Sequence, residues 1–589
     1  MTKLQKRSEV PVELTWNLED LYPSLDEVYR DMDVLKDKVN TLSIPDISLK
    51  EELLDFLKEY EEILALFLKI GTFLELNIAT DHTNLEAATL IQKGQDILSK
   101  VQTSLTVVLE PLYQLEDEIL NTFIQDKRYG AFFKDILNKK KYRLRPGEEE
   151  LLSALAPVLQ LPYELYEGAK FVDLTFPSFS VNGKEYPLSF VLFENKYEYE
   201  EDTSLRRKAF DVFSNELRKY HQSIGTAFLG MVKRDLILAR QKGYDSVFDY
   251  LLMDQEISKD IHHHHLDTIM EELSPIMRKY SEYLKNQYSL DSMTYADLKL
   301  PPKLSTHRSY SIDEAKEVIL ASLTPFGHDY IEYIKGGFEN RWVDFVDNIG
   351  KSTGGFCTSI YQGHPYILMT WQNLLSDVFT LAHELGHGGH FHLTDQHQSI
   401  LVREASLYFI EAPSTTSELL LSNYLQEIAS SKEEKKDIIA LSIANTYYHN
   451  FVTHFLEGYF QREVYQRAEN GETLTPHSLN IIMEETLQKF WGDSVVLTPG
   501  AELTWMRQPH YYTGLYSYTY SAGLTLGTIL SQRLPKEPNL ANTWLEVLKL
   551  GGSKSPKELA QFIDVDITNT KSLSKAISHI GYMVDELIK

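Results

Sequence analysis

The chain has 589 residues, with 58 Lys and Arg against 85 Asp and Glu, and a formal net charge of −27 at pH 7. That excess of negative charge excludes binding through a nucleic-acid backbone and favours solubility. The single cysteine, Cys357, excludes internal disulfides and a thiolate metal cluster, which leaves imidazole and carboxylate as metal ligands.

Residues 1 to 12 are polar and charged, without the apolar core of a secretory signal, and no run of about 18 apolar residues reads as a membrane span. The cytoplasm is the expected location, with no membrane partner. Residues 48 to 125 carry Leu, Ile, Glu and Lys at helical spacing, as in Glu51-Glu52-Leu53-Leu54-Asp55-Phe56-Leu57. Residues 203 to 241, 431 to 470 and 540 to 588 read likewise. Strand signal is sparse. Ser178 to Tyr186 predicts a hairpin with Asn182-Gly183 at its turn. The acidic run from Glu198 to Asp202 marks an expected boundary, giving an N-terminal helical lobe over 1–200 and a larger catalytic lobe over 201–589. His262 to His265 lie inside a predicted helix, where neighbours point about 100° apart, so at most two can share one ion. No catalytic part is expected of them.

Cys357, in Gly354-Gly355-Phe356-Cys357-Thr358, is expected to be buried or to line a cleft rather than act as a nucleophile. Tyr366-Ile367-Leu368-Met369 is a short β-prone run between Gly363-His364-Pro365 and Asn373. It fits a core strand or a strand beside a cleft, where an exposed edge binds an extended peptide through main-chain hydrogen bonds.

The most informative stretch follows, His383-Glu384-Leu385-Gly386-His387. On a helix, positions i and i+4 differ by about 40° in angle and about 6 Å in rise, so both imidazoles can converge on one tetrahedral metal. Zn²⁺ lowers the pKa of its water to about 7, and Glu384 beside it can take the proton and pass it to a leaving amine. Leu381, Ala382 and Leu385 supply an apolar face, Gly386 permits close approach, and Ser376, Asp377 or Thr380 can open the helix.

A hydrolytic zinc site needs a third protein ligand and leaves its fourth position to water. His390 is one candidate, but an unbroken helix carries it about 10 Å along the axis from His383. Only a break at Gly388-Gly389 would return it to the metal. Glu411 is better placed, in an apolar segment from Phe409 to Leu419 that starts or kinks at Pro413 and can pack across the first helix. Glu418 projects on about the same face, as a carboxylate that would orient a ligand imidazole. Near the end, His510 with Tyr511, Tyr512, Tyr516, Tyr518 and Tyr520 forms a run too polar for simple core packing. Such donors suit the oxyanion of a tetrahedral intermediate.

Together these motifs resemble the oligoendopeptidase F branch of the thimet-oligopeptidase-like zinc metallopeptidases. The resemblance lies in the His-Glu-x-Gly-His helix and in Glu411-Ala412-Pro413-Ser414. It extends to an opening segment from Trp16 to Pro23, a substrate-side strand from Gly363 to Trp371, and a His/Tyr loop from His510 to Ser521. It implies a mainly α fold, with two helical lobes enclosing a deep substrate channel and a small β-sheet beside the zinc helix. It also implies one Zn²⁺ per chain on His383, His387 and Glu411, with Glu384 as base and then acid. His510 with Tyr512, Tyr516 or Tyr518 would stabilise the oxyanion, and Tyr366 to Met369 would hold the substrate. The expected activity is endopeptidase cleavage of short, unstructured oligopeptides. An exopeptidase of dipeptidyl carboxypeptidase type is the alternative, with Arg507 or Arg403 capturing a free terminus. A peptide-binding protein with a structural zinc is a further one, against which the intact Glu384 argues.

Overall fold

Helical spacing of Leu, Ile and Phe becomes long helices in the computed structural model, which describes residues 5–45, 50–306, 308–352 and 354–589. Residues 1–4 of the polar opening, and 48 and 49 of the first amphipathic segment, lie outside them. Lys50–Ala79 opens on Glu51 and Glu52, whose charge suits a helix N-terminus, and buries Leu53, Phe56, Leu57, Tyr60 and Ile63. Leu85–Val108 starts where the Asn84 side chain accepts the amides of Glu86 and Ala87. These helices, with Leu25–Thr41 and Gly130–Lys140, enclose an N-terminal apolar core.

A second, larger core runs from Tyr166 to Leu587 around the long helix Thr203–Gln241. Helix makes up 72% of the structure and strand 3%, so the fold is mainly α. The boundary expected near 200 falls inside this second core, because the helix Pro146–Gly168 already packs along Thr203–Gln241. The apolar packing divides instead between Ile136 and Tyr166. The acidic run that suggested a boundary has a local role, since Asp202 accepts the amides of Ser204 and Leu205 and caps the long helix. Among the described residues, no helix is long and apolar enough to cross a membrane.

Strands β1 (Phe179–Val181) and β2 (Lys184–Tyr186) form the expected hairpin, with positive φ at Asn182 and Gly183. The functional sheet contains β3 (Val343–Asp344), β4 (Phe356–Ser359) and β5 (Pro365–Leu368), in the order β3-β5-β4. β3 runs parallel to β5, placing Val343 opposite Ile367, and β4 runs antiparallel, placing Cys357 opposite Ile367. Alternation along β5 sends Tyr366 and Leu368 into the N-terminal core and Ile367 and Met369 into the larger one. The two cores therefore meet on opposite faces of this sheet.

The N-terminal segment ties the arrangement together. The Phe345 amide donates to Leu14 O at 3.0 Å and the Asn17 amide to Arg341 O at 2.9 Å. Beside these bonds the fully buried Asp344 carboxylate takes both Arg7 and the Lys351 ammonium, the latter at 2.6 Å. Removing one partner of such a cluster strands the buried charge of another. Asp344→Ala is expected to destabilise the protein by about 3–5 kcal/mol, read as a lowered denaturant midpoint. An unchanged midpoint would contradict this account of the junction.

Candidate metal centre

The helix Leu375–His397 carries the first two donors. It is opened by Asp377, whose carboxylate accepts the amides of Gln372 at 2.6 Å and Leu374 at 2.9 Å. The helix passes through Gly388 and Gly389 without a break, so His390 is not swung back to the metal. Its ring is buried beside Phe409, and neither nitrogen has a partner among the described residues. Burial pushes its pKa down to about 3.

Glu411 comes from the helix Leu407–Ile428, which starts ahead of Pro413 and holds that proline in its interior. Ser406 caps it by accepting the Tyr408 amide. Glu411 Oε2 lies 3.3 Å from His383 Nε2 and 3.3 Å from His387 Nε2, and the three donor atoms all lie within 4.8 Å of one another. Behind them, Glu418 Oε2 is 3.1 Å from His383 Nδ1, while its other oxygen accepts from the Thr446 hydroxyl. The structure thus brings His383, His387, Glu411 and Glu418 together, with His383 held through its outer nitrogen.

This approach depends on missing side chains. A Cβ on Gly386 would stand 2.7 Å from Ser414 Cα, and one on Gly523 would stand 2.6 Å from Glu411 Cβ. Either would drive the helices apart. The hydroxyls of Ser414, Thr416 and Ser417 bond back to Glu411, Ala412 and Pro413 carbonyls, so this tight crossing buries them satisfied.

Charge is arranged around the donors. Burial pushes the Glu384 carboxyl up, against the pull of His383 and His387. For Glu411 burial acts in the same sense, yet His387 and His383 outweigh it and hold the carboxyl well below its usual range. Both groups face a cavity of about 690 Å³ whose walls include Phe356 and Cys357 of β4, Asn445 and His449, and Tyr516 and Tyr520. Burial pushes the Cys357 thiol well up, with Glu384 adding to the effect, so the thiol is poorly suited to act as a thiolate nucleophile.

Three expectations change here. Tyr366 to Leu368 form the interior strand of the sheet, with both edges paired and every side chain buried, so this run cannot receive a peptide strand. The free edge next to the cavity is β4. Tyr518 is fully buried, its hydroxyl 2.7 Å from Gln255 Oε1, and Tyr512 stacks on Tyr166 at 4.7 Å. Neither lines the cavity. Tyr520, not singled out from the run, lines it with Tyr516, and their hydroxyls lie 3.1 Å apart. Tyr516 precedes the helix Tyr518–Arg533 and its hydroxyl meets that of Tyr520 in the helix's first turn, so no local period marked the pair.

His510 stands behind these tyrosines, with Nδ1 3.3 Å from Glu457. Arg507 is committed to Glu198 at 2.8 Å and Glu194 at 3.0 Å, and Arg403 to Asp395 at 2.9 Å, so neither guanidinium is available for a peptide terminus. Within the histidine run, His262 and His265 are buried in the core and His264 is exposed. His265 Nε2 contacts Ser521 Oγ at 2.7 Å and His262 packs on Tyr518.

The profile of Peptidase family M3 matches residues 196–579, and that of Oligopeptidase F matches 112–176. Oligopeptidase PepF of Bacillus subtilis is 28% identical over 606 residues, covering 99% of this chain and 88% of the relative. A crystal structure from Chlamydophila abortus superposes with a TM-score of 0.85 at 24% identity, covering 99% of both chains. Oligoendopeptidase-F from Enterococcus faecium gives 0.74 at 20% identity, over 96% of this chain and 98% of that one.

The donor geometry makes a graded prediction for metal content of purified variants. Glu411→Ala should empty the site, Glu418→Ala should weaken retention by about 10- to 100-fold, and His390→Ala should leave it filled. Loss of metal from the His390 variant alone would reverse the ligand assignment.

Proposed function

Because the chain belongs to Peptidase family M3 and is a metallo-oligopeptidase, we propose that it is a zinc-dependent endopeptidase acting on short, unstructured oligopeptides. The observation that carries this reading is the convergence of His383, His387 and Glu411 with Glu384 beside them. Two imidazoles and one carboxylate match the donor set of a hydrolytic zinc site. The 3.3 Å separations of Glu411 from both imidazoles equal the edge of a tetrahedron with ligand distances of about 2.0–2.1 Å. One ion per chain is implied.

When bound there, zinc supplies Lewis acidity to a scissile carbonyl and makes water acidic enough to ionise near neutral pH. Glu384 takes the proton of the attacking water and delivers it to the departing amine. Its burial favours the protonated form that the second half of this cycle requires. Tyr516 and Tyr520, which line the cavity with His510 next to them, would donate their hydroxyls to the developing oxyanion. Glu418 orients His383.

An extended peptide has a template in β4, whose free edge runs past Glu384. A Cβ on Gly355, at the start of this edge, would stand 3.6 Å from Glu384 Oε1. Main-chain pairing there is indifferent to most side chains and fixes register. It also favours internal cleavage, as does the commitment of Arg507 and Arg403 to carboxylates of the protein itself.

Three outcomes test this. Glu384→Gln is expected to retain metal and fold while losing at least about 10²-fold in kcat, and activity within a few-fold of wild type would remove Glu384 as the base. Tyr516→Phe and Tyr520→Phe should lower kcat by up to about 10²-fold, whereas Tyr518→Phe should leave the chemistry intact. For size selection, mass spectrometry of a mixed peptide digest, with and without chelator, should show internal cuts only in metal-loaded samples. A native globular protein should resist under the same conditions, and cuts confined to chain ends would favour an exopeptidase.

A further inference from the structure

The helix that supplies Thr446 to Glu418 changes character beside the cavity. Lys432–Leu441 continues into two π-helical stretches, Ser442–Tyr447 and His449–Thr453, before α-helix resumes at His454–Glu469. Each wider turn shifts the faces that follow, and such stretches concentrate at functional sites. Here the shift puts Thr446 against the Glu418 carboxylate, His449 into the cavity wall, and His454 and Glu457 towards His510.

The resulting cluster is a chain of hydrogen bonds. Glu457 Oε2 is 2.9 Å from His454 Nδ1 and 3.3 Å from His510 Nδ1, and His454 Nε2 is 3.0 Å from His449 Nε2. One proton assignment satisfies all three contacts: both Nδ1 groups donate to the carboxylate, and His449 donates to His454. Glu457 and His454 are buried, whereas the His510 side chain is 25% exposed. Burial opposes ionisation of Glu457, but His454 and His510 hold its carboxyl well below the usual range. The His454 ring stacks on Tyr520, with centroids 4.0 Å apart. The same cluster thus supports both His510 and one of the cavity tyrosines.

A buried carboxylate gripping one nitrogen of a partly exposed imidazole sets both the ring's orientation and which nitrogen remains free. We propose that Glu457 is a positioning residue for the reaction, holding His510 by Nδ1 so that Nε2 is the ring's free nitrogen, with His454 bracing the carboxylate and the Tyr520 ring. The inference rests on the assignment of His510 to the reaction.

Steady-state kinetics on a metal-loaded variant set tests it, with metal content and melting temperature measured for each protein. Glu457→Ala should lower kcat by about 10²-fold with KM within about threefold. Glu457→Gln, which keeps an oxygen acceptor for Nδ1, should recover part of this loss. In a His510→Ala background, Glu457→Gln should cost less than about threefold more, because groups that act through one another are not additive. Additive losses, or wild-type kcat in Glu457→Ala beside an impaired His510→Ala, would overturn the positioning role and leave the proposed mechanism standing. Wild-type kcat in His510→Ala would remove His510 from the mechanism, and the inference with it.

Discussion

The crossing of three helices at Gly386, Ser414 and Gly523 is the constraint on which the centre depends. The proposed metal site needs three donor atoms from two helices within one coordination sphere, and backbone separation sets that distance more than any rotamer does. Small residues allow the separation, and self-bonded Ser and Thr hydroxyls make it tolerable in a buried setting. Ionisable groups so placed would be costly if unpaired. Several are paired: His383 lies between Glu411 and Glu418, Glu418 on Thr446, and Glu457 between two imidazoles.

The sheet performs a second task with very few residues. Its interior strand β5 serves two hydrophobic cores, one per face, so the N-terminal helices and the helices that carry His383, His387 and Glu411 share one rigid element. That burial on both faces closes β5 to a peptide strand and leaves β4 as the edge beside the cavity. The Asp344 cluster and the N-terminal main-chain bonds hold the other side of the sheet, far along the chain from the residues they stabilise.

The helix carrying the π stretches contacts both sides of the cavity. From one continuous segment it meets Glu418 through Thr446, and His510 and Tyr520 through Glu457 and His454. Its residues read in the sequence as an ordinary amphipathic helix. A regular 3.6-residue period would have assigned them to other faces, which is why His449, His454 and Glu457 went unrecognised.

Local spacing determined what could be read directly. His383, Glu384 and His387 form a single-helix pattern, Asn182-Gly183 forces its own turn, and the long apolar repeats specify helices wherever they occur; each depends on residues a few positions apart. The preference for Glu411 over His390 rested on the same local geometry, because an intact helix carries the nearer histidine away from His383. Residues whose meaning depends on a distant partner were not legible. β5 looks like a cleft strand until β3 and β4 occupy its two edges. Tyr512 and Tyr518 look equivalent to Tyr516 and Tyr520 until Tyr512 stacks on Tyr166 and the Tyr518 hydroxyl meets Gln255. Arg507 looks free until Glu194 and Glu198 fold against it. In each case tertiary packing decided, since orientation and pairing follow from which surfaces are buried together rather than from residue type.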